Sequence, residues 1–501
     1  MRNGGTDVEE SEAESVVVVG SGFGGLSSAC FLAQAGYEVT VLEKNEQLGG
    51  RASVHEADGF RFDMGPSWYL MPDVFEWFFA EFDRTPADYY ELTRLDPHYR
   101  IFWKDGDQLD VVADIEANKA AFESYETGAG DTLDAYLDES KFQYEVGMEH
   151  FVFTDRPRWR DYIDMDVLRH ARGLSLLGTM QKYVSTHFTH PKLQQLMQYS
   201  LVFLGGAPDK TPALYNLMSH VDFNLGVYYP MGGIVEVVNA MESLGEELGV
   251  HFVTDTPVTG IEGSRGEFTI QTATSQTYNA DIVVSNADYA YTESSLLGES
   301  NRQYDSAYWE SRTFAPSAYL LYLGVEGEVS DLAHHTLILP PDWDGHFDDI
   351  FESPAWPDNP AYYLCVPSKT DPSVAPDGKS ALFILVPIAP GLSDSAENRS
   401  AMRSYLLADI AAHTGVDLTD RISYEKAFCV DDFASRYNSY AGSALGLAHT
   451  LRQTAVFRPN RTSSACDGLY YTGSYTTPGI GVPMCLISGY HTAEAIGPAT
   501  E

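Results

Sequence analysis

The sequence predicts an α/β protein, and three observations near its start carry that prediction. Ser15-Val16-Val17-Val18-Val19 is a short β-branched run suited to a strand covered on both faces. It runs directly into Gly20-Ser21-Gly22-Phe23-Gly24-Gly25, a GxGxxG turn. The small, apolar stretch Leu26 to Gly36 then reads as a helix, and Tyr37 to Leu42 as a second strand closing at Glu43. Strand, glycines, helix, strand and acid in that order predict a Rossmann-like dinucleotide-binding unit.

Each part has a physical reason. Gly20 permits the tight turn, Gly22 lets the backbone approach a pyrophosphate, and Gly25 lets the helix pack on the strand. The helix N-terminus offers free N–H groups and partial positive charge to phosphates. Glu43 stands about 20 residues on, where a carboxylate accepts hydrogen bonds from an adenosine ribose, so FAD or NAD is expected and NADP is not. A second glycine turn, Leu48-Gly49-Gly50-Arg51-Ala52, follows, then a segment ending in Gly65-Pro66-Ser67. Glycines there allow close approach, and Arg51 suits a pyrophosphate oxygen. An NAD enzyme has no need of this second cradle, so FAD is the expected cofactor, with Lys44, Gly50, Arg51, Gly65, Pro66 and Ser67 in the cradle.

Composition narrows the function classes. The 501 residues predict two to four domains. Asp and Glu number 72 against 31 Lys and Arg, a net charge of −41, spread along the whole chain. Nucleic-acid binding and a polybasic membrane anchor both require the opposite sign. A distributed acid excess suits concentrated salt, where the Debye length falls to about 3 Å at 1 M and self-repulsion is screened. A salt-filled, halophilic cytoplasm is the expected setting. The acidic start carries no secretory pattern, and no run approaches the ~18–20 apolar residues of a membrane span. Five scattered cysteines without a CxxC pair argue against disulfides and structural zinc. The 14 histidines show no metal-ligand spacing, so no metal is expected. No hydrolase nucleophile motif occurs.

From the glycine turns onward, the chain resembles the FAD-dependent amine oxidase and carotenoid desaturase superfamily, and within it the bacterial-type phytoene desaturases. The resemblance runs from Val16 to about Ile496. It rests also on Tyr229-Pro230-Met231-Gly232-Gly233, Ala280 to Asp288, Leu332-Ala333-His334-His335-Thr336, Gln453 to Pro459, Gly468 to Ser474 and Pro478 to Pro483. It implies a discontinuous FAD domain of residues 15–90, 228–290 and 435–501, after a disordered acidic tail 1–14. Two insertions follow from it: 91–227, helical and membrane-facing, and 291–434, a substrate-domain mixed sheet. Val258 is implied near the adenine. Gly473, Gly481, Val482 and Pro483 form the implied C-terminal flavin motif, whose helix would stabilise reduced flavin. Thr477 stands where many relatives carry His.

The implied activity is FAD-dependent desaturation of a C40 carotene, phytoene or a later intermediate. A late 3,4-desaturase and a flavin-dependent carotene isomerase are the alternatives. A hydrocarbon offers no hydrogen-bonding handle, so a long apolar tunnel must position it. The 25 Phe, 31 Tyr and 7 Trp could line one, though most serve a core. Quinone or oxygen is the implied electron acceptor, and a peripheral contact with the cytoplasmic membrane the route to substrate. Beside the flavin itself, His335 and Thr477 are the candidate catalytic side chains. His334-His335 also reads as a structural pair at a strand edge. Asp155-Arg156-Pro157-Arg158 reads as solvated surface or a tunnel mouth.

Overall fold

Strand β1 (Ser15–Val19) lies at the centre of a five-stranded, all-parallel sheet, where its four valines are covered on both faces. The order is Leu469–Tyr471, Ile282–Ser285, β1, β2 (Glu38–Leu42), His251–Val253. Three distant stretches of chain thus build one sheet. The computed structural model describes residues 13–156, 178–201, 205–450 and 452–499; nearly all of the predicted acidic tail and all of 157–177 therefore lie outside the described residues.

Helix α1 (Phe23–Gln34) follows the glycine turn and packs against the C-terminal helix Val482–Ile496. Small side chains make this approach possible. A Cβ at Gly489 would fall 2.5 Å from Ser27, so neither position tolerates bulk.

The second sheet has seven strands and mixed direction. Its order is Ile422–Phe428, Ser317–Glu326, Lys379–Ile388, Tyr362–Cys365, His335–Leu339, Tyr99–Trp103, Gln108–Val111. The two ten-residue strands at its heart are almost wholly buried, matching the continuous apolar runs Ala318 to Val325 and Ala381 to Ile388. Tyr99–Trp103 joins by parallel pairing to His335–Leu339. Residues 99–111, expected within a helical insertion, therefore extend the sheet expected of 291–434. The helices Ile115–Tyr125, Ala129–Gly147, Met180–His187 and Pro191–Leu196 pack beside it. Among the described residues, no helix is long and apolar enough to cross a membrane.

Under these helices Asp222 is buried, accepting hydrogen bonds from Tyr99 and Tyr199 hydroxyls at 2.7 and 3.0 Å. Its second oxygen has no partner. Burial pushes its carboxyl up to about 7. Between pH 4 and 7 the folded state therefore holds a proton that the unfolded chain has released, and stability falls as pH rises through that window. Asp222→Asn is expected to flatten the fall, by up to about 3 kcal/mol between pH 5 and 8. Urea denaturation in molar KCl at both pH values measures it. An unchanged slope would mean that Asp222 stays ionised.

Candidate active site

A cavity of about 790 Å³ lies between the two sheets. Its walls bring together Gly20 and Gly22 from the first turn, Glu43 and Lys44 from the end of β2, and Gly50, Arg51, Gly65, Pro66 and Ser67. Val258, Gly473, Thr477, Gly481, Val482 and Pro483 complete the same wall. Two residues singled out in the sequence do not line it, Gly25 and His335.

Gly25 acts one layer behind. A Cβ there would sit 2.2 Å from the Gly20 carbonyl oxygen, so glycine alone lets α1 start where the turn ends. Gly20 itself has φ +95°, a left-handed conformation that favours glycine. The missing Cβ of Gly22 leaves room for Asn286, whose Oδ1 would lie 2.8 Å away.

The charged groups of the cradle divide into engaged and free. Glu43 is buried, and its carboxylate accepts from Ser21 N and Oγ and from Asn45 N and Nδ2 at 2.6–3.0 Å. A ribose diol would share these oxygens or displace a side chain. Lys44 turns away to Asn438 Oδ1 (2.9 Å) and the Ser435 carbonyl, tying the turn to the helix Val430–Tyr437. Arg51 differs. Its buried Nε and Nη2 have no partner, and the guanidinium lies 5.8 Å from the Tyr437 ring. Two unpartnered, buried guanidinium donors beside a glycine cradle fit an anionic ligand such as a pyrophosphate.

The C-terminal motif is clamped from below. Arg458, fully buried, donates to the carbonyls of Leu447, Gln453, Ser474 and Tyr475, and burial brings its pKa down to about 10. Arg461 donates to the Thr477 carbonyl and hydroxyl at 3.0 and 3.2 Å and pairs with Asp155 at 2.6 Å. Asp155 is therefore not solvated surface: a buried guanidinium draws it inward. Pro157 and Arg158 lie outside the described residues. The left-handed Gly481 precedes the helix Val482–Ile496, with Pro483 in its first turn, so that N-terminus opens onto the cavity.

His335 is fully buried behind Tyr363 and Trp68. Its Nδ1 lies 2.6 Å from the Tyr363 hydroxyl, and its ring stacks on the Trp68 indole at 4.2 Å and 8°. Thus the histidine predicted to act on substrate meets the cavity only through Tyr363 and Trp68, which line it. Ligand atoms of His334, His335 and Cys365 lie within 4.8 Å of one another, close enough to share an ion. One nitrogen of each ring is already engaged, by Thr370 and Tyr363, and burial pushes the Cys365 thiol well above its usual range. The other nitrogen of each ring, Nε2, is buried without a partner.

Sequence reading missed Asn286, Asp288, Tyr363 and His449, all in the cavity wall. Asn286 and Asp288 stood inside a noted motif; the other two carry no local signal. Away from the cradle the wall turns apolar, with Leu70, Met71, Phe75, Met148 and Leu217. At its rim Phe457 is 61% exposed.

The family model of flavin-containing amine oxidoreductases matches residues 23–497. A carotenoid 3,4-desaturase of Haloarcula japonica is 64% identical over 490 residues, 98% of this chain and 99% of that one. A ζ-carotene-forming phytoene desaturase of Myxococcus xanthus is 33% identical, with 97% and 94% covered. Among solved structures, an oxidoreductase from Methanosarcina mazei aligns with a TM-score of 0.62 at 18% identity, covering 96% of this chain and all of that one. A putrescine oxidase aligns with 0.61 at 15%, covering 96% and 98%, a likeness of fold alone. The chain belongs to the flavin-containing amine oxidoreductases, in their branch of FAD-dependent carotenoid desaturases. It is an oxidoreductase acting on CH–CH groups, and a halophilic archaeal setting fits the source of the Haloarcula relative.

Proposed function

We propose that, within the carotenoid desaturases to which it belongs, this protein works as a carotenoid 3,4-desaturase, the late alternative raised by the sequence. The observation that carries this reading is the 64% identity to the Haloarcula enzyme across essentially both chains. The apolar continuation of the cavity supports a carotene substrate, because a hydrocarbon chain is held by shape and burial alone.

Bound FAD supplies the acceptor for hydride. The chain's own residues do the rest. Gly20, Gly22, Glu43 and Val258 would hold the adenosine half, and Arg51 with Gly50 the pyrophosphate. Thr477, Val482 and Pro483 would face the flavin ring. Arg461 and Arg458 fix the loop that carries them. The carotene would enter past Phe457, a rim residue suited to a bilayer contact on the cytoplasmic face. Quinone or oxygen would reoxidise the enzyme.

Expression in a carotene-accumulating host tests the reading. The product should be lighter by two hydrogens for each new double bond and absorb at longer wavelength, without added NAD. A product of unchanged mass would make the protein an isomerase. Conversion of phytoene, with terminal positions untouched, would restore the phytoene desaturase reading.

A further inference from the structure

Removing hydride from a carotene leaves a delocalised cation, and a neighbouring C–H must then release its proton. Two Tyr–His pairs stand at the cavity wall as acceptors. Tyr215 meets His449 Nδ1, and Tyr363 meets His335 Nδ1. Tautomer logic separates them. His449 Nε2 already accepts the backbone N–H of Ile480 at 3.0 Å, so its single ring proton sits on Nδ1 and points at Tyr215. That imidazole has no lone pair left for a new proton. The Nε2 of His335 has no partner, so its ring proton can sit there while Nδ1 accepts from the Tyr363 hydroxyl.

The surroundings suit the transfer. Ser67 Oγ, also in the cavity wall, is 2.9 Å from the Tyr363 hydroxyl and holds it in line. Burial, with His334 and His98 nearby, keeps His335 neutral and therefore able to accept. The Trp68 face stacked at 4.2 Å favours the imidazolium once it forms. A proton beside a polyene cation is strongly acidic, so a weak base suffices.

Resting on the desaturase reading, we propose that Tyr363 is the catalytic residue that takes the substrate proton, with His335 as the positioning base behind it. The C–H bond breaks and its electron pair closes the new C=C. The proton lands on the Tyr363 oxygen as that hydroxyl's own proton passes to His335 Nδ1, leaving a phenol and an imidazolium.

The test uses FAD-loaded enzyme and carotene deuterated at the carbon that loses the proton. Tyr363→Phe and His335→Asn, whose Oδ1 can still accept the Tyr363 hydrogen bond, should each lower kcat on the order of 10²-fold. KM and FAD content should hold, and a primary deuterium effect absent from wild type should appear. Tyr215→Phe should show no such effect. Should His335→Asn fail to retain FAD, Tyr363→Phe, which removes one oxygen, carries the test. Wild-type turnover in Tyr363→Phe overturns the proposal, as does a loss of rate without the isotope effect. So does one equivalent of tightly bound metal, which would occupy His335 instead. Each of these leaves desaturation by wild type intact; unchanged product mass with wild type would instead remove the reading beneath.

Discussion

Gly25→Ala is expected to purify without flavin colour, although alanine adds one methyl group and suits a helix better than glycine. The added Cβ would stand 2.2 Å from the Gly20 carbonyl oxygen, far inside contact distance. Neither atom belongs to a side chain that can swing aside. Either α1 withdraws from the turn or Gly20 changes conformation, and both movements spoil the cradle of N–H groups at the helix start. Overpacking of this kind costs about 1–3 kcal/mol. Charged to FAD binding, that is roughly tenfold to hundredfold in affinity. The ratio of flavin to protein after gel filtration in molar KCl, followed by FAD titration, measures it. Circular dichroism confirms that the sheet persists. Stoichiometric FAD in the variant would show that the turn adapts and that Gly25 is not what sets the approach of helix to strand.

The reasons for Gly25 were legible because strand, turn and helix are local, and spacing alone fixes which glycine faces which carbonyl. The same holds for Glu43, Arg51 and the helix after Gly481. What escaped were residues whose meaning depends on distant chain. Asn286 fills the space left by Gly22, Gly24 and Gly473, and no window of sequence contains that contact. Antiparallel register between Tyr362–Cys365 and His335–Leu339 puts Cys365 opposite His335 and Tyr363 opposite Leu337, and only that pairing lets the Tyr363 hydroxyl reach His335 diagonally. Tyr99 to Trp103 alternates too weakly to declare itself a strand, and one of its two partners lies more than 200 residues away. His335 stands behind the cavity wall rather than in it, and a motif names a residue without saying which wall it stands behind. Asp155 carried a surface-like pattern, yet Arg461, far along the chain, turns it inward.

Dilution from molar KCl to about 0.1 M should unfold this protein, and on the way release it from anionic liposomes. With 72 acidic and 31 basic residues, most carboxylates have no cation to pair with. Many of the basic side chains already hold an acidic partner, as in Arg399 with Asp394 and Asp432, or Lys192 with Asp105 and Asp107. The remaining acids repel one another over a Debye length of about 3 Å at 1 M and about 10 Å at 0.1 M. That change brings many more like-charged pairs within range and lowers stability. The same field opposes an anionic bilayer, so docking must rest on apolar contact, and salt strengthens both properties together. Phe457, the most exposed large apolar side chain among the described residues, is where the proposed bilayer contact would be expected. Phe457→Ser should weaken co-sedimentation with liposomes in molar KCl while leaving the urea midpoint in place. A KCl series with anionic vesicles, read alongside urea denaturation, separates the outcomes. Binding that is strong at low salt and lost at high salt would mean that a basic patch, not an apolar rim, meets the membrane.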